Sequence, residues 1–147
     1  MPKRFNVRAY GLLERNGKVL VSDEIIRGRR ITKFPGGGLE FGEGLGECIV
    51  REFSEELGMT VEIIEHFYTT DFFVASAFDP ESQVISVYYK VTAAVGSMPL
   101  LSDLAKKEGV EQVRWLAVDD ISEDDLTLII DKKVAAMLRA ETRKQAC

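Results

Sequence analysis

The sequence predicts an α/β (α+β) domain in which helices pack on a mixed β-sheet. Three observations lead there. Strand-like and helical segments follow one another in the order strands, helix, strands, helix. Residues 43–57 place Leu45, Ile49, Phe53 and Leu57 at intervals of four, the spacing of a helix with one buried face. Between the first strands and that helix lies Phe34-Pro35-Gly36-Gly37-Gly38, which cannot be regular helix.

Each element has its own signal. Residues 5–13 mix β-branched, aromatic and polar side chains and read as a strand. Asn16-Gly17 is a hairpin turn signal, and residues 18–21 follow as its partner strand. Residues 27–33 are polar and basic, with Arg27, Arg29, Arg30 and Lys33. The helix over 43–57 ends at Gly58, where a glycine can take the left-handed conformation. Residues 60–73 and 84–95 are rich in β-branched and aromatic residues. The turn-like Asp79-Pro80-Glu81-Ser82 lies between them, so they are expected to form a long antiparallel pair. Residues 113–118 read as a short strand. Residues 129–139, with Ile130, Val134, Met137 and Leu138 at helical spacing, read as a closing helix.

A length of 147 residues without repeats or low-complexity linkers fits one domain over 1–147. No apolar run approaches the ~20 residues of a membrane-spanning helix, and charges interrupt the N-terminal segment, so neither a membrane nor a secretory route is expected. The reading is cytoplasmic. A net charge of −5 with no basic stripe argues against an extended nucleic acid as partner. Two cysteines and one histidine exclude a disulfide framework, a thiolate zinc site and most histidine-based catalysis. Chemistry is left to carboxylates, lysines, arginines, backbone amides and hard metal ions.

The informative stretch runs from Gly37 to Met59. Five residues separate Gly37 from Glu43, seven separate Glu43 from Arg51, and Arg51-Glu52-Phe53-Ser54-Glu55-Glu56-Leu57-Gly58-Met59 follows. At ~100° per residue, Glu52, Glu55 and Glu56 fall within about one 100° sector of the helix. Like charges on adjacent turns destabilise a helix, so such a cluster calls for a counter-charge. Oxygen-rich clusters suit hard divalent cations, Mg²⁺ or Mn²⁺. Ile49, Phe53 and Leu57 occupy a neighbouring sector and anchor the helix, leaving the acidic edge to face a cleft. Taken singly, each glutamate reads as solvated surface; the full spacing is what argues otherwise. Arg27, Arg29, Arg30 and Lys33, just ahead of the glycines, read equally well as a solvated loop or as contacts for substrate phosphates.

This stretch resembles the signature of the Nudix (MutT-like) hydrolases at every position. Its seven fixed residues would each match by chance at about one in fifteen, on the order of one in a hundred million together. The resemblance implies an α/β/α sandwich around a mixed sheet, the Nudix fold. It implies metal-dependent cleavage of a phosphoanhydride in a nucleoside diphosphate linked to another group, a class that includes nucleoside triphosphates. Carried over residue by residue, it makes Glu52, Glu55 and Glu56 metal ligands, with the Gly37 carbonyl as a further one. It gives Arg51 and Glu43 the task of holding the helix and its glutamates in place. One glutamate takes the proton from water, and the signature does not say which. In triphosphate-cleaving members a loop glutamate ahead of a tryptophan-bearing late strand reaches the metal, which points here to Glu108, seven residues before Trp115, with Glu111 as its competitor. Neither the proline of ADP-ribose hydrolases nor the tyrosine of dinucleoside-polyphosphate hydrolases stands about fifteen residues past the box, which leans toward triphosphates. The expected partner is thus a small nucleotide or nucleoside diphosphate derivative, with a homodimer as a candidate assembly. The alternative is a Nudix-like domain without activity, serving as a ligand sensor or interaction module. An RNA-end hydrolase would want a basic surface, which the net charge disfavours.

The other candidates carry less. Cys48 reads as core filler, His66 as a surface residue and Trp115 as core. Phe67, Tyr68, Phe72, Phe73 and Phe78 read mainly as sheet core, one of them available to stack on a base.

Overall fold

The computed structural model describes residues 1–94 and 110–145. The expected loop glutamate Glu108 lies outside the described residues, as does the side chain of Glu111. The elements are β1 (Arg4–Arg15), β2 (Lys18–Ile26), β3 (Arg29–Lys33), β4 (Gly36–Gly38), α1 (Leu45–Leu57), β5 (Val61–Thr69), β6 (Ser82–Ala93), β7 (Val110–Ala117) and α2 (Ile129–Gln145). A short 3-10 turn, Glu123–Asp125, precedes α2.

The sheet is mixed, as expected. Its order is β3-β2-β1-β6-β5, with β4 added to β1 and β7 to β2. β1 runs parallel to β6, from Arg4 opposite Ser82 to Leu13 opposite Val91, and antiparallel to β4 on its other side. The hairpin into β2 turns on Asn16 and Gly17, both at positive φ (52° and 76°), the geometry of a type I′ turn.

Alternation along β1 divides the core into two layers. Ala9 and Leu13 join Leu20, Ile49, Phe53, Leu57 and Met59 beneath α1. Tyr10 and Leu12 join Phe34, Tyr88, Val134 and Leu138 beneath α2. Period-two strands with apolar residues on both faces require a helix on each side, and the result is the expected α/β/α sandwich. Cys48 is buried in the α1 layer, and Trp115 packs on it only in part.

Several boundaries differ from the sequence reading. Residues 29–33 form a strand on β2 rather than a loop, joined by a turn in which Arg27 and Gly28 take positive φ (51° and 77°). The strand expected over 60–73 ends at Thr69. There the Thr70 hydroxyl donates to the Ser86 carbonyl and accepts from the Ser86 N–H, and the chain leaves the sheet. Phe72 and Phe73 are consequently exposed rather than core (38% and 62%), whereas Tyr68 is buried. The closing helix runs six residues beyond 139, to Gln145.

Candidate active site

The glycines preceding α1 are pressed between a strand and a carboxylate. β4 pairs Gly36 with Tyr10, Gly37 with Ala9 and Gly38 with Arg8. A Cβ on Gly36, at φ 154°, would lie 2.2 Å from the Ala9 carbonyl oxygen, and one on Gly37 would lie 2.6 Å from the Glu52 carboxylate. Only glycine lets this backbone reach both neighbours. α1 starts after Gly44, whose N–H donates to Glu47 at 3.0 Å. It stops at Gly58 in the left-handed conformation (φ 63°), with the Gly58 and Met59 N–H groups bonded to the carbonyls of Ser54 and Phe53.

Arg51 organises the acidic edge. Its Nε and Nη2 grip Glu43 at 2.9 and 2.7 Å, a two-pronged guanidinium–carboxylate pair. Nη1 donates to Glu52 at 2.9 Å and Glu55 at 3.3 Å, and Nη2 also reaches the Gly38 carbonyl at 3.1 Å. One side chain therefore ties the glycine strand, the segment before α1 and two of the three helix glutamates together. The Arg51 hydrogen bonds, helped by the Glu40 N–H, hold the Glu43 carboxyl down at about 2. Arg51 is held above its ordinary value by the same pair.

Glu52 is nearly buried, Glu56 half-buried and Glu55 exposed. Burial pushes the Glu56 carboxyl up to about 7, against the pull of Lys33; Glu24 and a hydrogen bond with Glu52 push further the same way. Among the described residues no three His, Cys, Asp or Glu side chains converge tightly enough to hold an ion by themselves. Glu52 and Glu56 do meet, however, and burial first, then the neighbouring Glu24 and Glu52, disposes Glu56 to keep a proton near neutrality. A hard cation would take the place of that proton, and the donors at hand are all oxygens. The residues present thus fit a divalent cation on Glu52 and Glu56, with Glu55 one turn away and the Gly37 backbone against Glu52.

A largely apolar cavity is lined by Val74, Ala75, Phe78 and Ile129 and, among polar residues, by Arg8, Lys33 and Asp131; Arg8 and Lys33 both feel the charge of Glu56. Lys33 is buried; its Nζ lies 3.3 Å from the Phe34 carbonyl, 3.4 Å from that of Gly36 and 3.6 Å from Glu24. The other basic candidates sit elsewhere. Arg27 donates to the Phe78 carbonyl and lies over its ring, at the outside of the cavity. Arg30 approaches Asp23 at 3.7 Å, in a network with Arg114, Thr32 and Gln112 that ties β2, β3 and β7 and holds Asp23 at about 2 despite its burial. Arg29 is exposed and, like Arg30, is not among the lining residues. His66 is exposed, bonded to Thr69 at 2.8 Å.

Sequence reasoning missed Arg8 and Asp131. Asn6, Arg8 and Tyr10 alternate along β1 toward the cavity, and a charged residue in mid-strand was the available signal. Asp131 is fully buried in the first turn of α2, receiving the Tyr88 hydroxyl on Oδ1, while Oδ2 has no partner among the described residues.

Known structures share this fold. A NUDIX hydrolase from Nitrosomonas europaea superposes with a TM-score of 0.73 at 19% identity, over 97% of this chain and 90% of that one. A MutT NUDIX hydrolase from Burkholderia pseudomallei gives 0.72 at 20% identity, over 92% and 98%. A MutT protein from Methanosarcina mazei Go1 gives 0.71 at 18%, over 97% and 98%. At such identities the likeness concerns the fold. The family model of the NUDIX domain matches residues 2–138, nearly the whole chain, and the protein belongs to that family.

Proposed function

We propose that the protein is a divalent-cation-dependent pyrophosphohydrolase acting on a nucleoside diphosphate linked to another group, nucleoside triphosphates included. The observation that carries the reading is Arg51, which binds Glu43, Glu52, Glu55 and the Gly38 carbonyl at once. An arginine on a merely solvated acidic helix would not be so committed, because exposed pairs return little for the side-chain entropy they cost. In this reading Glu52, Glu55 and Glu56, with the Gly37 carbonyl, hold Mg²⁺ or Mn²⁺, as is general in the family. Arg51 and Glu43 are positioning residues. A bound cation would polarise phosphoryl oxygens and lower the pKa of the attacking water. The chain's own part is to fix the carboxylates, to accept the water's proton on one of them, and to place cationic Lys33 near substrate phosphates. Water adds to one phosphorus, the anhydride P–O bond breaks, and a nucleotide or phosphate fragment leaves. Glu108 is proposed as a further ligand or the base; comparing Glu108→Gln with Glu111→Gln and Glu52→Gln for kcat across pH tests it, and wild-type rate and Mg²⁺ dependence in Glu108→Gln would remove it.

The test of the whole is phosphate or pyrophosphate release from a nucleotide panel, with products identified, in Mg²⁺ and again in chelator after metal removal. Turnover in Mg²⁺ alone is expected. Full turnover in chelator would sink the metal mechanism, and no turnover on any substrate would leave a binding domain.

A further inference from the structure

The cations around the cavity differ in how far the fold has already used them. Lys33 is engaged by two carbonyls of its own loop and by Glu24, and Arg27 by the Phe78 carbonyl. Arg8 is different. Its Nε donates to the Tyr10 hydroxyl at 2.6 Å, and its guanidinium carbon lies 5.7 Å from the centre of that ring. Among the described residues this is its only hydrogen bond, and its two terminal amino groups have no hydrogen-bond partner there. Arg8 lines the cavity, its Nη1 lies 3.6 Å from where a Gly38 Cβ would stand, and the charges of Glu52 and Glu56 act on the guanidinium. Arg8 is thus half-buried, oriented by Tyr10, on the cavity wall and within reach of the charges of Glu52 and Glu56.

Donors held in a partly desolvated site without an acceptor are costly, and a planar fork with free Nη groups matches a phosphate better than any single acceptor. We propose that Arg8 binds a phosphoryl group of the substrate, the one that joins the part seated in the cavity to the part cleaved beside α1. The inference rests on the reading of the substrate as a nucleotide derivative. It assigns the phosphate contact to β1 rather than to the basic run at residues 27–30.

Nucleoside 5′-monophosphates contain no phosphoanhydride, so they report binding without turnover. The experiment titrates the four ribonucleoside 5′-monophosphates and the four nucleosides into the full chain by calorimetry at saturating Mg²⁺. Wild type is expected to bind at least one monophosphate about tenfold or more tighter than its nucleoside, the scale of a charge-assisted hydrogen-bonded pair. Arg8→Met should erase most of that gain and leave nucleoside affinity unchanged, and Arg8→Lys should restore part of it. Should Arg8→Met not fold, Arg8→Gln, which keeps a donor for Tyr10, gives the same comparison. No phosphate-dependent gain in wild type, or a full gain in the folded methionine or glutamine variant, overturns the assignment. Failure of hydrolysis with the Arg8-dependent gain intact would instead overturn the proposed activity alone.

Discussion

Arg51 can form five N–H bonds, and its partners come from three segments of the chain: Gly38, Glu43 and the helix glutamates. A lysine keeps the charge but not the fork, so Arg51→Lys should release Glu43 or Glu52. We expect turnover to fall at least about tenfold and the melting temperature to drop, read by kcat and thermal unfolding together; unchanged values of both would return Arg51 to ordinary surface. Gly37→Ala separates activity from stability differently. Its Cβ would meet the Glu52 carboxylate at 2.6 Å, and the side chain rather than the strand is the freer to move. The variant should lose kcat by about a hundredfold, the scale of losing one transition-state contact, with a smaller loss of stability. These residues were legible in the sequence because their meaning lies in spacing. Arg8 and Asp131 were not, because one charge in a strand and one in a first helical turn carry no spacing, and only the folded chain brings them to one cavity.

The placement of α1 depends on what β1 lacks. Gly11 has the Phe53 ring 2.5 Å and Ile49 Cγ2 3.1 Å from where its Cβ would be, so the helix lies almost on the strand backbone. Gly11→Ala must lift α1 or tilt Phe53 and should destabilise by about 1–3 kcal/mol, the usual cost of overpacking. Because α1 bears the glutamates, kcat should fall with it; urea unfolding alongside kinetics checks both. The helix was legible because its four-residue apolar interval faces one layer, with Ile49, Phe53 and Leu57 buried as expected. β3 was not. In Arg29-Arg30-Ile31-Thr32-Lys33 the buried positions are Ile31 and Lys33, and a buried lysine hides the alternation that would mark a strand. Its burial is intelligible only once Glu24 and the Phe34 and Gly36 carbonyls surround it. Phe72 and Phe73 misled in the opposite direction. Aromatic composition suggested continued sheet, but Thr70 ends the pairing through its own hydroxyl.

At the scale of the whole molecule, α2 is joined to the sheet through buried charge, and this sets the response to pH. Asp131 on α2 meets Tyr88 on β6 in the core, and burial raises its carboxyl from 3.8 to about 6, against the Tyr88 hydrogen bond and the pull of Lys33. Between about pH 4 and 6 the folded chain therefore holds a proton on Asp131 that the unfolded chain has released. Stability falls as pH rises through that window, and the cost is complete above pH ~6, on the order of 3 kcal/mol for about two pKa units. Asp23 and Glu43, both held at about 2, act with the opposite sign: their contribution is present above the ordinary carboxylate range and is lost as pH falls toward 2. Asp131→Asn isolates the first effect. The amide oxygen still accepts from the Tyr88 hydroxyl, and the amide nitrogen replaces an oxygen that already lacked a partner among the described residues, so any packing change is the same at every pH. The variant's stability relative to wild type should therefore be greater at pH 8 than at pH 4, by a few kcal/mol, with the change concentrated between pH 4 and 6. Urea unfolding of both proteins across that range measures it. Two curves that stay parallel from pH 4 to 8 would mean that Asp131 is ionised in the folded protein throughout, and that Lys33 and Arg8 hold it so.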